Sequence, residues 1–326
     1  MFTKILVPLD RSALSEQAVG TAAAIARASK ASIDLVLVHQ PFPFDGFGDA
    51  PWNALEREEE RKYLESIAGE LIAGAEVPAT HAIVNGEAVE TICKRSWDSE
   101  ADLIVMTSHG RTGLSRVWIG SVAMGVIKQA AVPVLMLRPV KSPDDRKAAH
   151  HLFKKILVPV DGSAFSADIL GSVASLAKCA GATIELVRVV EPVPLITADM
   201  GMPFAYPPML QDDAATNHLF EEAKFEVAEQ AKRLAEAENV EVHATALLAG
   251  HVSNAIIDFS RGHDADLIAM TTHGRGASRL VFGSVADKVV RASGLPMLLL
   301  RPIGVIEKSE SAGSESADVT PTLVQA

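Results

Sequence analysis

Short, almost unbroken runs of Ile, Leu, Val and Met recur along the chain, separated by longer stretches in which apolar residues return every three or four positions. The short runs predict strands at residues 4–9, 32–38, 80–84, 103–107 and 132–138, and the longer ones predict helices at 12–29, 53–73, 88–97 and 121–129. A Pro- and Gly-rich excursion covers 41–52. Because the strands lack polar alternation, both of their faces must be buried, as in a parallel sheet covered by helices on each side. The order βαβαβαβαβ with right-handed crossovers gives an α/β, Rossmann-like unit, a doubly wound sheet of five parallel strands.

The whole pattern then returns. Lys4-Ile5-Leu6-Val7-Pro8-Leu9-Asp10 reappears as Lys155-Ile156-Leu157-Val158-Pro159-Val160-Asp161, and the closing Pro133-Val134-Leu135-Met136-Leu137-Arg138-Pro139 as Pro296-Met297-Leu298-Leu299-Leu300-Arg301-Pro302. A period near 150 residues is that of a domain. The expected organisation is a first domain at 1–141, a polar linker at 142–151, a second domain at 152–303 and a Ser- and Glu-rich disordered tail at 304–326.

Composition narrows the classes. With 48% apolar and 22% charged residues the chain reads as soluble and globular, and no apolar stretch is long enough for a membrane span or a signal peptide, so a cytoplasmic location is expected. The net charge of −11 disfavours a sequence-blind grip on nucleic acid. The two cysteines, Cys93 and Cys179, fall in apolar helical contexts at non-equivalent places and read as small buried hydrophobes.

In a doubly wound sheet, ligands lie beyond the carboxyl ends of the strands, where strand order reverses. Asp10 and Asp161 stand at that address. So do the loops after the fourth strand of each half, where Thr107-Ser108-His109-Gly110-Arg111 leads to Gly120-Ser121-Val122, and Thr271-Thr272-His273-Gly274-Arg275 leads to Gly283-Ser284-Val285. Glycines, a helix N-terminus, a hydroxyl and an arginine together suit phosphate. The plainer reading is that the glycines shape a turn and Ser121 or Ser284 caps a helix; the duplication beside an aspartate favours a ligand site. No Walker-type loop and no G-x-G-x-x-G after a first strand is present. His109 and His273 have no second ligand at metal spacing, so no metal site is expected from protein groups alone.

These residues resemble the universal stress protein family, specifically its tandem members. The likeness covers nearly all of 1–141 and 152–303 and rests on I-L-V-P-x-D, the pattern G-x-x-G-x9-G-[ST] and the closing P-V-L-x-x-R strand. It implies an adenine nucleotide alpha hydrolase-like fold. It also implies that Asp10 and Val38, with Asp161 and Val189, hold the adenosine part of ATP, while Gly110, Gly120, Ser121 and Val122, with Gly274, Gly283, Ser284 and Val285, wrap its phosphates, with Mg²⁺ as companion. The resemblance further suggests that the two halves meet through their last strands, with a homodimer of tandem chains as a further step.

Two departures stand out. Thr107 and Thr271 replace the pattern's first glycine, and nine residues separate Gly110 from Gly120 whereas eight separate Gly274 from Gly283. Against this, Asp161-Gly162-Ser163 is closer to the family than Asp10-Arg11-Ser12, where Arg11 is placed to cover the first pocket. The leading functional reading is an ATP-binding, nucleotide-dependent sensor or regulator acting through an unspecified protein partner. Two alternatives stay open: an interaction module with vestigial pockets, and a slow ATPase, for which no group in the matched motifs is placed to orient water.

Overall fold

A computed structural model describes residues 1–40, 51–108, 119–138, 152–194, 212–272 and 282–302, with backbone only at 51–53. In the first half β1 (Lys4–Leu9), α1 (Gln17–Ser29), β2 (Ser32–His39), α2 (Pro51–Ala75), β3 (Ala79–Asn85), α3 (Ala88–Asp98), β4 (Leu103–Thr107), α4 (Ser121–Gln129) and β5 (Val134–Leu137) follow one another. The second half runs β6 (Lys155–Val160), α5 (Ala164–Ala167), α6 (Leu170–Ala180), β7 (Thr183–Val190), α7 (Asp213–Glu238), β8 (Val242–Leu248), α8 (Val252–Gly262), β9 (Leu267–Thr271), α9 (Ser284–Ala292) and β10 (Met297–Leu300).

The two five-stranded parallel sheets are joined into one sheet of ten strands, in the order β3-β2-β1-β4-β5-β10-β9-β6-β7-β8. The join is antiparallel, with Leu298 opposite Leu135 and Met297 opposite Met136. All four of these side chains are fully buried. A row of such residues on an open edge would invite aggregation, and pairing the two closing strands removes both edges. The outer edges are then β3 and β8. Each is tied inward by a carboxylate: Thr80 donates to Asp34 at 2.9 Å, and Thr245 donates to Glu185 at 2.7 Å.

The core lies on both faces of the sheet. One face packs α1, α2, α6 and α7, and its buried cluster runs without a break from Ile5 and Leu35 to Ile156 and Leu186; the other packs α3, α4, α8 and α9. The halves are fastened at the seam by side chains as well. Arg138 donates to the Val290 carbonyl in the last turn of α9, and Arg301 donates to the Lys128 carbonyl in the last turn of α4 at 3.4 Å. Such positions suit a cation, since a helix C-terminus carries partial negative charge.

One expected boundary moves. The first helix begins at Gln17 rather than near residue 12, because residues 12–16 form turns that serve Asp10.

Candidate functional site

The crevice at the switch point has a covalent cause. β1 pairs with β2 along its whole length, but its ladder to β4 is confined to Ile5 and Leu6. In the second half the ladder from β6 to β9 is likewise confined to Ile156 and Leu157. Pro8 and Pro159 stand just beyond, and proline has no N–H to give to a ladder. The strands therefore part before Asp10 and Asp161 are reached.

Both aspartates are held in the same way. Ser12 donates to Asp10 Oδ1 from its backbone N–H at 3.0 Å and from its hydroxyl at 2.6 Å, while the Asp10 N–H donates to Ser15 Oγ at 3.3 Å. Ser163 donates to Asp161 Oδ1 at 2.9 and 2.5 Å, and the Asp161 N–H donates to Ser166 Oγ at 3.3 Å. The underlying signature, D-x-S-x-x-S, is legible in both halves of the sequence but was not singled out there. One carboxylate oxygen is thereby committed to the turn, so the carboxylate is preorganised before any ligand arrives.

The loops after β4 and β9 are anchored identically. The Ser108 N–H donates to the Leu137 carbonyl and the Gly120 N–H to the Ser108 carbonyl, both at 2.8 Å; Thr272 to Leu300 and Gly283 to Thr272 repeat the two bonds at 2.8 Å. The two loops thus differ by one residue in length between the same pair of anchors. Gly120 (φ −60°, ψ 150°) and Gly283 (φ −56°, ψ 140°) are the N-caps of α4 and α9, and among the described residues neither helix has a side-chain cap. Ser121 and Ser284 are therefore not caps; each is the first residue of its helix and exposed. A nine-residue helix with an uncapped start leaves its first N–H groups and partial positive charge for an anion.

Val38, Val122, Val189 and Val285 are partly buried against the same face of the sheet, so each half carries its two expected site valines on one side. Thr107 and Thr271 are buried at the ends of β4 and β9. His109, Gly110, Arg111, His273, Gly274 and Arg275 lie outside the described residues, as do the excursion at 41–50 and the linker.

Behind this shared frame the halves differ. Arg11 reaches Glu59 of α2 at 3.3 Å, from a left-handed backbone (φ 65°) that costs a non-glycine residue roughly 1 kcal/mol. Its counterpart Gly162 (φ 76°) adopts that conformation freely, and the guanidinium beside it comes from Arg188, which reaches Glu226 of α7 at 3.4 Å. Next to Val38 the first half buries a polar pair, His39 Nδ1 to Glu60 Oε2 at 2.9 Å, with 1% and 4% of the side chains exposed. The second half fills this place with Val190 and Ala223, both buried. Asp34 is bidentately bound by Arg95 at 2.7 and 3.0 Å, which raises the arginine's pKa, whereas Phe259 takes that arginine's place in α8. Finally, the first turn of α9 carries Asp287, held by Arg291 at 2.9 Å, where α4 has no acidic residue. An acid there competes with an incoming anion for the same positive potential.

Both cysteines sit in helices, α3 and α6, and burial pushes each thiol up, Cys93 to about 11. Cys179 is buried as expected, whereas Cys93 is only partly buried. Among the described residues no group of three His, Cys, Asp or Glu side chains could hold a metal, and no helix is long and apolar enough to cross a membrane.

The fold and the two-fold repeated crevice define an α/β protein of the Rossmann-like, adenine nucleotide alpha hydrolase type. The chain belongs to the Universal stress protein family, whose sequence model matches residues 1–138 and again 152–301. Relatives include a universal stress protein of Methanocaldococcus jannaschii, 32% identical over 152 residues, 46% of this chain and 84% of that one. Another, from Thermus aquaticus, is 33% identical over 140 residues, 42% of this chain and all of the other. A Mycobacterium bovis universal stress protein is 32% identical over 136 residues, and the matched part spans 45% of its length. Among solved structures, a universal stress protein from Archaeoglobus fulgidus superposes with a TM-score of 0.63 at 21% identity, covering 91% of this chain and 98% of the other. That likeness speaks to the fold.

Proposed function

We propose that each half binds one adenine nucleotide, ATP with Mg²⁺ as the phosphates' companion, and that the protein acts as a nucleotide-dependent stress-response regulator through protein partners. The supporting observation is the duplicated juxtaposition at the switch point. A proline ends the β1–β4 or β6–β9 ladder, an aspartate is fixed by two serines in the gap, and a helix start without a side-chain cap stands at the same end of the sheet. Asp10 with Val38, and Asp161 with Val189, take the nucleoside. Gly120, Ser121 and Val122, with Gly283, Ser284 and Val285, take the phosphates together with the glycines, histidines and arginines of the two loops. Residues 1–141 and 152–303 are the two binding units, and two such chains form a homodimer.

The test is the nucleotide content of protein purified without added ligand, followed by equilibrium titration with ATP and a product assay. Two molecules bound without turnover support a sensor, turnover an ATPase, and no binding a scaffold. The shorter second loop and Asp287 favour a variant in which only the first pocket takes a triphosphate. A stoichiometry of one ATP and one adenosine per chain is its signature.

A further inference from the structure

We infer that Arg11 in the first half and Arg188 in the second are positioning residues of the nucleotide sites, each clamping the aspartate turn to the long helix of its half. The inference rests on the adenine-nucleotide reading above and adds residues to it that no family pattern supplies. The two arginines are not equivalent in sequence. Register places Leu37 opposite Leu9 and Arg188 opposite Val160, so Arg188 is the counterpart of Leu37, and Arg11 is the counterpart of Gly162.

They are nevertheless equivalent in place. A Cβ built on Gly162 would stand 2.0 Å from Nη1 of Arg188, 2.9 Å from its Cζ and 3.0 Å from its Nη2. The guanidinium thus lies where a side chain at position 162 would begin. In the first half that space belongs to the stem of Arg11, while Leu37 is buried. Both guanidiniums end on a glutamate of the long helix, Glu59 in α2 and Glu226 in α7, the latter one turn beyond Glu222, which matches Glu59 in position. The pairs Arg11/Leu37 and Gly162/Arg188 are therefore alternatives that exclude each other: an arginine at 162 would collide with Arg188, and a glycine at 11 would leave the turn without a clamp.

The clamp's partner is the turn itself. Arg188 is only 12% exposed, and a guanidinium so far out of water is retained where its charge and donors are used. Asp10 and Asp161 follow the first strand of each half, at the nucleoside end of the proposed site, while phosphates fall to α4 and α9. A clamp on the aspartate turn must then act on adenosine and ATP alike, through the shape of the turn.

The experiment uses the full chain with one site silenced at a time. Asp161→Asn should lower the stoichiometry by one nucleotide, isolating the first site. In that background Arg11→Gly should weaken adenosine and ATP equally, by about tenfold through lost preorganisation, with the melting temperature held. Adding Leu37→Arg, which installs the second half's arrangement, should restore both affinities. The reciprocal set, Arg188→Leu and then Gly162→Arg with Arg188→Leu in an Asp10→Asn background, decides the question should the first double variant fail to fold. If the unaltered protein binds neither ligand, the nucleotide reading falls and takes the inference with it. If it binds, and the silencing substitutions remove one site each, the inference is overturned by unchanged affinities in both arginine variants, by loss confined to ATP, or by the absence of rescue in the swaps that fold.

Discussion

The two halves share a frame and disagree behind it. Proline wedge, serine-held aspartate, loop anchors and uncapped helix start coincide to within a few tenths of an ångström in hydrogen-bond length. The residues that support that frame do not. A buried His39–Glu60 pair is matched by buried Val190 and Ala223, Arg95 by Phe259, and the arginine beside the aspartate turn arrives from the loop in one half and from a strand in the other. The lesson is that geometry at the crevice is retained by more than one packing solution, while its charge is not. Asp287 stands in the first turn of α9, where α4 has no acid.

The comparison is broken most completely at the seam. Leu135→Lys together with Leu298→Lys would set two ammonium groups opposite each other at positions with no exposure, costing about 5 kcal/mol or more. Hydrogen exchange should then report lost protection in β5 and β10 while β1 and β6 stay protected. Wild-type protection in a folded double variant would mean that other contacts hold the halves.

Next comes the buried polar pair. Glu60→Ala strands His39, whose Nε2 has no hydrogen-bond partner among the described residues, and should cost about 3 kcal/mol in urea unfolding. His39→Val with Glu60→Ala transplants the second half's solution and should bring stability back to within about 1 kcal/mol of the starting value. Additive losses in this cycle would show that the two residues are not coupled.

A smaller effect separates the phosphate ends. Ser121→Ala should weaken ATP binding to the first site by roughly 1.5 kcal/mol, one hydrogen bond to a charged group. Ser284→Ala should do less in the second, and adenosine affinity should respond to neither. Smallest is the effect of charge at α9: Asp287→Asn should raise the second site's preference for ATP over adenosine by about 0.5 kcal/mol. Equal preference before and after, measured by titration of the full chain, would leave the loop length as the sole source of inequality.

Much of this was legible in the sequence, for identifiable reasons. Strands and helices declared themselves through unbroken apolar runs and helical spacing, while the pairing of the closing strands came from the family resemblance. Asp10 and Asp161 stood out because each ends an apolar run. α1 starts later than its apolar spacing predicts: Ser12 and Ser15 are compatible with a helix, but the bond from Ser12 to the Asp10 carboxylate and that from the Asp10 N–H to Ser15 hold them in a turn. Pro8 and Pro159 were read as a motif without their consequence, since which strand loses its ladder depends on the sheet order. Arg188 was invisible as a site residue because its role comes from an empty volume at Gly162, a property of two chain segments together.

The antiparallel seam between β5 and β10 also frees the protein from a rule that binds symmetric assemblies. In a homodimer closed by a two-fold axis, every substitution occurs twice and must suit both copies of the contact. Here the two sides of the seam are separate stretches of one chain, Val134–Leu137 and Met297–Leu300, so each side can change alone. The contact is also insensitive to dilution, because tethering replaces association by mass action with an effective concentration on the order of millimolar. An assembly that neither dissociates nor demands self-complementarity lets one pocket be tuned while the other is kept, which is the condition under which Arg11 and Arg188 came to fill one role from two addresses.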